Sequence, residues 1–460
     1  MNYPQALEYL DGFANLERSV LTRSSREVIT LDRVRDLAAK LGNPQDVFPS
    51  LHVAGTKGKG STCAFAEAML SAAGFKTGLY VSPHLQDIRE RISISGRTIP
   101  DVDFARILSA CVPVLDKMRQ PPEGERRPTY FEILTHLAFS WFAEEKVDAA
   151  VVEVGLGGRL DATNIVKPAV CGITNISFDH VAILGDTLEQ IALEKSGIMK
   201  SGVPVVVAPQ TPEVTRVLEQ HAREMGCVCE LVGRDLRVKV TETKIQDEYR
   251  QWSMPDASLT LPDSRVFQAV LGLRGNHQVE NWAVAVRMAD LFHRRTGPLP
   301  LSAVQFASRN VRWPGRLERV VPNGLSANES GNSICPNVYL DGAHNEHSLR
   351  VVLKEIRAHF TEKLIVLFAC ARDKDSGAML RALAESGAIP IFTHSGNVRG
   401  KSPDELAHEW AQHTQNAIQP ILQPSSAAGY ETAKRMAGAN GVVLVTGSLY
   451  LVGAIKNILP

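Results

Sequence analysis

The sequence has no charge excess of either sign: 50 Lys and Arg face 50 Asp and Glu. A chain that holds nucleic acid non-specifically carries surplus basic charge, so no nucleic-acid partner is expected. Cysteine is scarce, with seven residues scattered along the chain. Cys227 and Cys229 stand one residue apart, which is not a zinc-knuckle spacing. Reduced structural thiols follow, as in a reducing compartment. No apolar run reaches the roughly 18 residues that a membrane span needs. Residues 1–18 lack the basic-then-apolar pattern of a signal peptide. A cytoplasmic location with no membrane partner is expected. There is no repeat at a solenoid period and no G-x-S-x-G nucleophile elbow. A solenoid and a hydrolase triad are both set aside.

What is present is ordinary globular composition, 44% hydrophobic and 22% charged. The 460 residues exceed what one core usually fills, so two domains are expected. Short apolar runs at 50–54, 77–81, 148–154, 170–176 and 203–208 alternate with helical patterns at 62–73, 101–118 and 131–145. Nearly all-apolar runs of this length suit strands buried on both faces. Their alternation with helices predicts an α/β fold with a parallel sheet. The pattern changes over 232–271, where 238–241, 259–261 and 266–271 read as antiparallel strands in a small β addition. A Pro/Gly cluster at 296–300 marks a linker. Beyond it, 338–340, 364–369, 390–393 and 442–445 again read as buried strands. The expected domains are therefore 1–296 and a smaller 297–460, with an Asn/Ser/Gly-rich mobile surface loop at 323–336.

Between the first strand and the first helix lies Gly55-Thr56-Lys57-Gly58-Lys59-Gly60-Ser61-Thr62. Glycines let successive backbone N–H groups turn toward phosphate oxygens, and the following helix adds its positive end. Lys59 supplies a point charge, and Ser61 and Thr62 supply hydroxyls for phosphate or Mg²⁺. The spacing G-x-x-G-K-G-S departs from the common G-x-x-x-x-G-K-[ST]. The simpler alternative is a Gly-rich strand-to-helix turn.

Other polar groups stand at strand ends, where parallel sheets bind ligands. Glu153 closes the run 148–154 and suits a Mg²⁺ ligand or a helix-capping acid. His180, with Asp179, follows the run 170–176. Imidazole is an unusual partner for a hard ion, so a metal ligand and a plain surface residue stay equally open. Residues 185–195 read as one helix with an acidic start, ending at Lys195, and that pattern favours a cation at a helix C-terminus. In the second domain, Asp341 and His344 follow the run 338–340.

Taken together, these stretches resemble the folylpolyglutamate synthase and dihydrofolate synthase family, relatives of the Mur ligases. The matching segments run in order from about residue 50 to the end. They are 52–62, Ser82-Pro83-His84-Leu85 with 89–92, 153–164, 194–198, 275–278 with Asn281, 313–318, Asp341-Gly342-Ala343-His344-Asn345 and Gly447-Ser448-Leu449-Tyr450.

The resemblance implies a Mur-ligase-like P-loop ATP-binding domain followed by a smaller Rossmann-like α/β domain. It implies ATP-driven addition of L-glutamate to folate, and to dihydropteroate in a bifunctional form, through an acyl phosphate, by a monomer. On this chain it implies Gly55 to Thr62, Asn281, Arg316, Asp341 and His344 at ATP, with Lys59, Lys195, Asp341 and His344 as catalytic groups. Two Mg²⁺ ions would be held by Ser82, Glu153, His180 and a Lys195 carboxylated by CO₂. Thr129, Tyr130, Phe131, Glu132, Leu160, Asp161 and Ala162 would line the pterin and folate site, with Asp32 and Arg33 at its edge. A Mur-type ligase acting on a cell-wall precursor is the alternative within the same chemistry. A nucleotide switch without ligase activity is the alternative outside it.

Overall fold

A computed structural model describes every residue except 16, 18–29, 120–126, 247–251, 322–335, 415–417 and 460; the side chains of 242–246 are also outside the description. The described chain forms two compact units. The first comprises Met1–Thr243, Pro255–Gly272 and Gln278–Val311; the second comprises Lys244–Met254, Leu273–His277 and Arg312–Pro460.

Up to Val311 the elements are α1 (Tyr3–Asp11), α2 (Leu31–Lys40), β1 (Ser50–Ala54), α3 (Lys59–Ala72), β2 (Thr77–Tyr80), β3 (Ile92–Ile94), β4 (Arg97–Thr98), α4 (Asp101–Met118) and α5 (Tyr130–Glu144), then β5 (Ala149–Glu153), β6 (Pro168–Ile173), α6 (Val181–Leu184), α7 (Leu188–Ser196), β7 (Val205–Val207), α8 (Pro212–Glu224) and β8 (Cys229–Leu231), and finally β9 (Arg237–Gln246), β10 (Ser253–Thr260), β11 (Val266–Val270), α9 (His277–His293) and α10 (Leu301–Asn310). Eight strands make one sheet in the order β4-β3-β2-β5-β1-β6-β7-β8. From β2 to β8 every pairing is parallel, while β3 and β4 add an antiparallel edge.

The apolar runs explain the order. Every residue of β1 and β5 is buried, as a central strand covered on both faces requires. One apolar cluster includes Tyr80, Phe104, Phe139 and Phe142, with α4 and α5. Another includes Ile173, Ile191, Val205, Val214 and Leu218, with α7 and α8. Because β5, β1 and β6 are parallel neighbours, the segments that leave them emerge at one carboxyl edge, beginning at Val154, Gly55 and Thr174.

Three expectations shift. The helix expected at 62–73 begins at Lys59, so Gly60 and Ser61 lie in its first turn. The helix expected at 185–195 starts three residues later, at Leu188, and a separate short helix, α6, ends before it at Leu184. Gly185 has a φ of +120° and breaks the path, and the Thr187 hydroxyl restarts it by accepting from the Gln190 N–H. The Pro/Gly cluster at 296–300 joins α9 to α10 inside the first unit. Helix α10 packs on α3 and β11, so that unit runs to Val311 and not to 296.

The β addition is a three-stranded sheet in the order β11-β10-β9. Residues 244–254 belong with the second unit. There Trp252 stacks on His359 with ring centroids 4.2 Å apart and packs against Tyr339.

The second unit continues with β12 (Glu318–Val320), β13 (Asn337–Leu340), α11 (Glu346–His359), β14 (Leu364–Phe368), α12 (Ser376–Glu385), β15 (Ile389–Phe392), α13 (Pro403–His413), β16 (Ile421–Leu422), α14 (Ser426–Ala437), β17 (Val442–Thr446) and α15 (Leu449–Lys456). Its sheet order is β12-β13-β17-β14-β15-β16, parallel except for β12. All but the last residue of the expected loop 323–336 lies outside the described residues. Among the described residues, no helix is long and apolar enough to cross a membrane.

Candidate active site

The phosphate loop leaves β1 in a conformation that only glycine adopts easily. Gly55 has a φ of +149° and Gly58 a φ of +90°. A Cβ at Gly55 would fall 1.8 Å from Thr174 Oγ1, and one at Gly58 would fall 2.1 Å from Asn281 Oδ1. Asn281 of α9 is thus packed directly on the loop. Its Nδ2 donates to Gln278 Oε1 at 3.0 Å, and its carbonyl accepts from the Thr62 hydroxyl at 3.4 Å.

Thr56 and Lys57 anchor the loop. Their N–H groups donate to the Asn175 carbonyl at 2.8 and 3.3 Å. The Thr56 hydroxyl donates to the Ser177 carbonyl and accepts from the Ser177 N–H. The Lys57 ammonium pairs with Asp179 at 3.0 Å. The backbone donors available to phosphate therefore start at Gly58 and run through the first turn of α3, where N–H groups have no partner in their own helix. Sequence reasoning missed this second role of the 174–179 segment. Asn175 Oδ1 and Ser177 Oγ are buried there without hydrogen-bond partners.

Lys59 reaches toward β5, its Nζ 3.9 Å from Glu153 Oε1. Glu153 Oε2 also accepts from the Ser82 N–H at 3.2 Å. The structure thus brings together the loop lysine, the strand-end carboxylate and Ser82. His180 is exposed at the start of α6 with a φ of +49°, its Nε2 3.8 Å from Asp179 Oδ1.

Lys195 is not a solvated helix-end cation. It is only 4% exposed, and its Nζ donates to the Gly55 carbonyl at 2.9 Å. Burial first, and the Lys59 and Lys57 charges with it, push its ammonium down to about 7, against the opposing pull of Asp179 and Asp161.

On the other side of Glu153, the chain runs through Gly155, which lies against the Phe131 ring. Phe131, Leu160 and Ala162 share an apolar cluster with Leu31, Val34 and Ile165. Thr129 and Glu132 have structural partners of their own. They form the capping box of α5, and Glu132 is also bound to Arg33 in a buried pair at 2.8 Å. Tyr130 is buried in the main core. Asp32 is exposed in the first turn of α2. The Asp161 carboxylate accepts from the Leu156 and Thr163 N–H groups at 2.8 and 3.0 Å.

In the second unit, Asp341 follows β13 and is buried. Its carboxylate accepts from the Leu317 N–H at 2.9 Å and the Ala343 N–H at 2.8 Å. His344 Nδ1 lies 2.8 Å from the Gly342 carbonyl. Arg316 donates to the Gly315 carbonyl and passes close over Gly342. Arg316, Asp341 and His344 therefore gather at the carboxyl end of β13.

A separate open cavity of about 380 Å³ opens beside Pro168, at the amino-terminal edge of the sheet. Its lining includes Arg35, Lys167 and Lys200 and no phosphate-loop residue.

Comparison with known proteins places the whole chain in a family. The Mur ligase middle domain matches residues 53–289, and the Mur ligase glutamate ligase domain matches residues 328–449. The dihydrofolate synthase/folylpolyglutamate synthase of Bacillus subtilis is 33% identical over 93% of this chain and 94% of its own length. The folylpolyglutamate synthase of Lacticaseibacillus casei is 29% identical, covering 100% of this chain and 99% of its own. A solved Mycobacterium tuberculosis folylpolyglutamate synthase, complexed with ADP and AMPPCP, superposes with a TM-score of 0.85 at 28% identity, over 99% of this chain and 98% of that one. The chain belongs to the folylpolyglutamate synthase/dihydrofolate synthase family of Mur ligases, and it is an ATP-dependent, amide-forming ligase.

Proposed function

We propose that the protein joins L-glutamate by an amide bond to the carboxylate of a folate-type acceptor, tetrahydrofolate and dihydropteroate alike. The observation that carries this reading is the short path from Glu153 to Gly155. It links the carboxylate beside Lys59 to the apolar cluster of Phe131, Leu160 and Ala162. A flat, largely apolar ring system suits the second place, and a triphosphate suits the first.

A free carboxylate is a poor acyl donor. Its oxygen attacks the γ-phosphorus of ATP, the bond to the β–γ bridging oxygen breaks, and ADP leaves. The acyl phosphate so formed takes the glutamate amine at its carbonyl carbon. A tetrahedral intermediate then expels phosphate as the nitrogen loses a proton. Lys59 and the amino end of α3 neutralise the phosphate charge through the transfer, and Asn281 holds the loop in shape. Arg316, Asp341 and His344 are assigned to nucleotide binding in the same proposal.

The donor set fits Mg²⁺. The Glu153 carboxylate accepts from the Ser82 backbone N–H, so a carboxylate and a hydroxyl-bearing residue are neighbours, as suits an ion that keeps few protein ligands beside substrate phosphates. His180 and a carboxylated Lys195 complete the set, with two ions in the active enzyme. Mg²⁺, when bound, supplies charge neutralisation to the transferring phosphoryl group. An ammonium at Lys195 would repel that ion. A neutral amine instead adds to CO₂ and releases one proton, which turns the side chain into an oxygen ligand.

Phosphate release tests the reading. With ATP and Mg²⁺, turnover is expected only when glutamate and a pteroate or folate acceptor are both present. Release with neither, unchanged when both are added, would sink it. Giving each acceptor separately assigns the substrate range.

A further inference from the structure

Behind Asp161 lies a chain of hydrogen bonds that the reaction as written does not use. The Thr163 hydroxyl donates to Asp161 Oδ1, and His52 Nε2 lies 2.9 Å from the same Thr163 oxygen. Since Thr163 gives its proton to a carboxylate, its oxygen accepts, and His52 must carry its proton on Nε2. His52 Nδ1 is buried with no partner, which suits the unprotonated nitrogen of that tautomer. The imidazole is fully buried, and burial, with a smaller push from Lys200, drives its pKa down to about 3. It stays neutral across the working range of pH.

The position of this chain matters. His52 sits in β1, three residues before Gly55, and pairs in register with Val152 next to Glu153. At the other end, Asp161 holds the Leu156 N–H at 2.8 Å, and the Gly155 N–H also bonds to it. Burial raises the Asp161 carboxyl, while these donors and Thr163 pull it back toward the ionised form. Three groups, none exposed, thus tie the strand that delivers the phosphate loop to the turn that follows Glu153. That turn is the one whose Gly155 touches Phe131.

We propose that His52 and Thr163 are positioning residues: they fix the Asp161 carboxylate, and through it the 155–158 turn, so that the acceptor site is held in register with the phosphate loop. The proposal rests on the folate-type reading for its kinetic consequence, but the hydrogen-bond chain itself does not.

Two measurements on the full-length protein keep those apart. The first is ¹⁵N NMR of the His52 ring, which needs no substrate. Wild type is expected to show the Nε2–H tautomer unchanged between pH 5 and 8, and Thr163→Val is expected to shift the Nε2–H resonance. An Nδ1–H tautomer, or an imidazole that titrates in that range, would overturn the chain. The second is steady-state kinetics. Thr163→Val, which keeps shape and removes the hydroxyl, is expected to raise the acceptor KM by roughly tenfold or more, the scale of one hydrogen bond to a charged group. The ATP KM should stay within about twofold. Thr163→Ser should restore the acceptor KM. Wild-type kinetics in Thr163→Val, or equal losses for acceptor and ATP that Ser does not rescue, would refute the positioning role. A wild type that uses no folate-type acceptor would defeat the functional reading and leave the NMR test standing.

Discussion

Lys195→Ala is expected to lower kcat by about 10³-fold or more, the cost of losing charge stabilisation at a phosphoryl transfer centre. The reason is the state of its amine. With an ammonium pKa of about 7, roughly half the side chains are neutral at pH 7. A lysine at the ordinary value of 10.5 would be neutral about once in three thousand. Only the neutral amine adds to CO₂, so the proposed carbamate would form from a far larger reactive fraction here than at an exposed lysine. A short carboxylic acid should restore part of the activity to Lys195→Ala by supplying the missing oxygens.

The pH dependence has a fixed sign. The folded pKa is depressed, so the reactive form is present above about 7 and lost as pH falls through it. At constant dissolved CO₂, reactivation of decarboxylated wild type should slow about fivefold from pH 7 to pH 6, following the neutral fraction. Full activity in Lys195→Ala, or reactivation that does not slow at pH 6, removes the carbamate from the mechanism.

Gly58→Ala should lower nucleotide affinity by about 100-fold, or about 2.7 kcal/mol. Two costs meet there. A left-handed φ of +90° costs an L-residue about 1–2 kcal/mol. The new methyl would also stand 2.1 Å from Asn281 Oδ1, which forces α9 or the loop to shift. Gly42→Ala separates these effects, because Gly42 has a φ of +84° with nothing within 4 Å of its would-be Cβ. Gly42→Ala should lose some thermal stability and keep ADP affinity by calorimetry. Equal ADP affinity in Gly58→Ala and wild type would show that the loop does not cradle the phosphates.

Strands were the most legible part of the fold, for a physical reason. A strand buried on both faces must be apolar throughout, and the runs at 50–54 and 148–154 meet that demand. The helix over 101–118 was equally clear. The start of α3 was less so, because Gly60 and Ser61 are poor helix formers placed there for phosphate rather than propensity. The start of α7 at Leu188 hid in a pattern that reads as helical from Gly185, whose φ of +120° places it outside the helix.

At the site, the residue types were visible and their partners were not. Lys195 looked like a helix-end cation, since nothing local to it reveals burial against Gly55, 140 positions away. The sequence offered no sign that the Glu132 carboxylate is shared between its own helix cap and Arg33. His52 read only as part of a strand, and its role needed Thr163, 111 residues on. Such contacts come from the sheet order and leave no periodic trace in the sequence.

The most direct test of the proposed chemistry follows the oxygen atoms. The acceptor carboxylate is labelled with ¹⁸O and turned over with ATP, Mg²⁺ and L-glutamate, and the released phosphate is examined by mass spectrometry. An acyl phosphate requires one labelled oxygen in each phosphate, matched to one new amide bond. Unlabelled phosphate released alongside glutamylated product would mean that the acceptor carboxylate never attacked the γ-phosphorus.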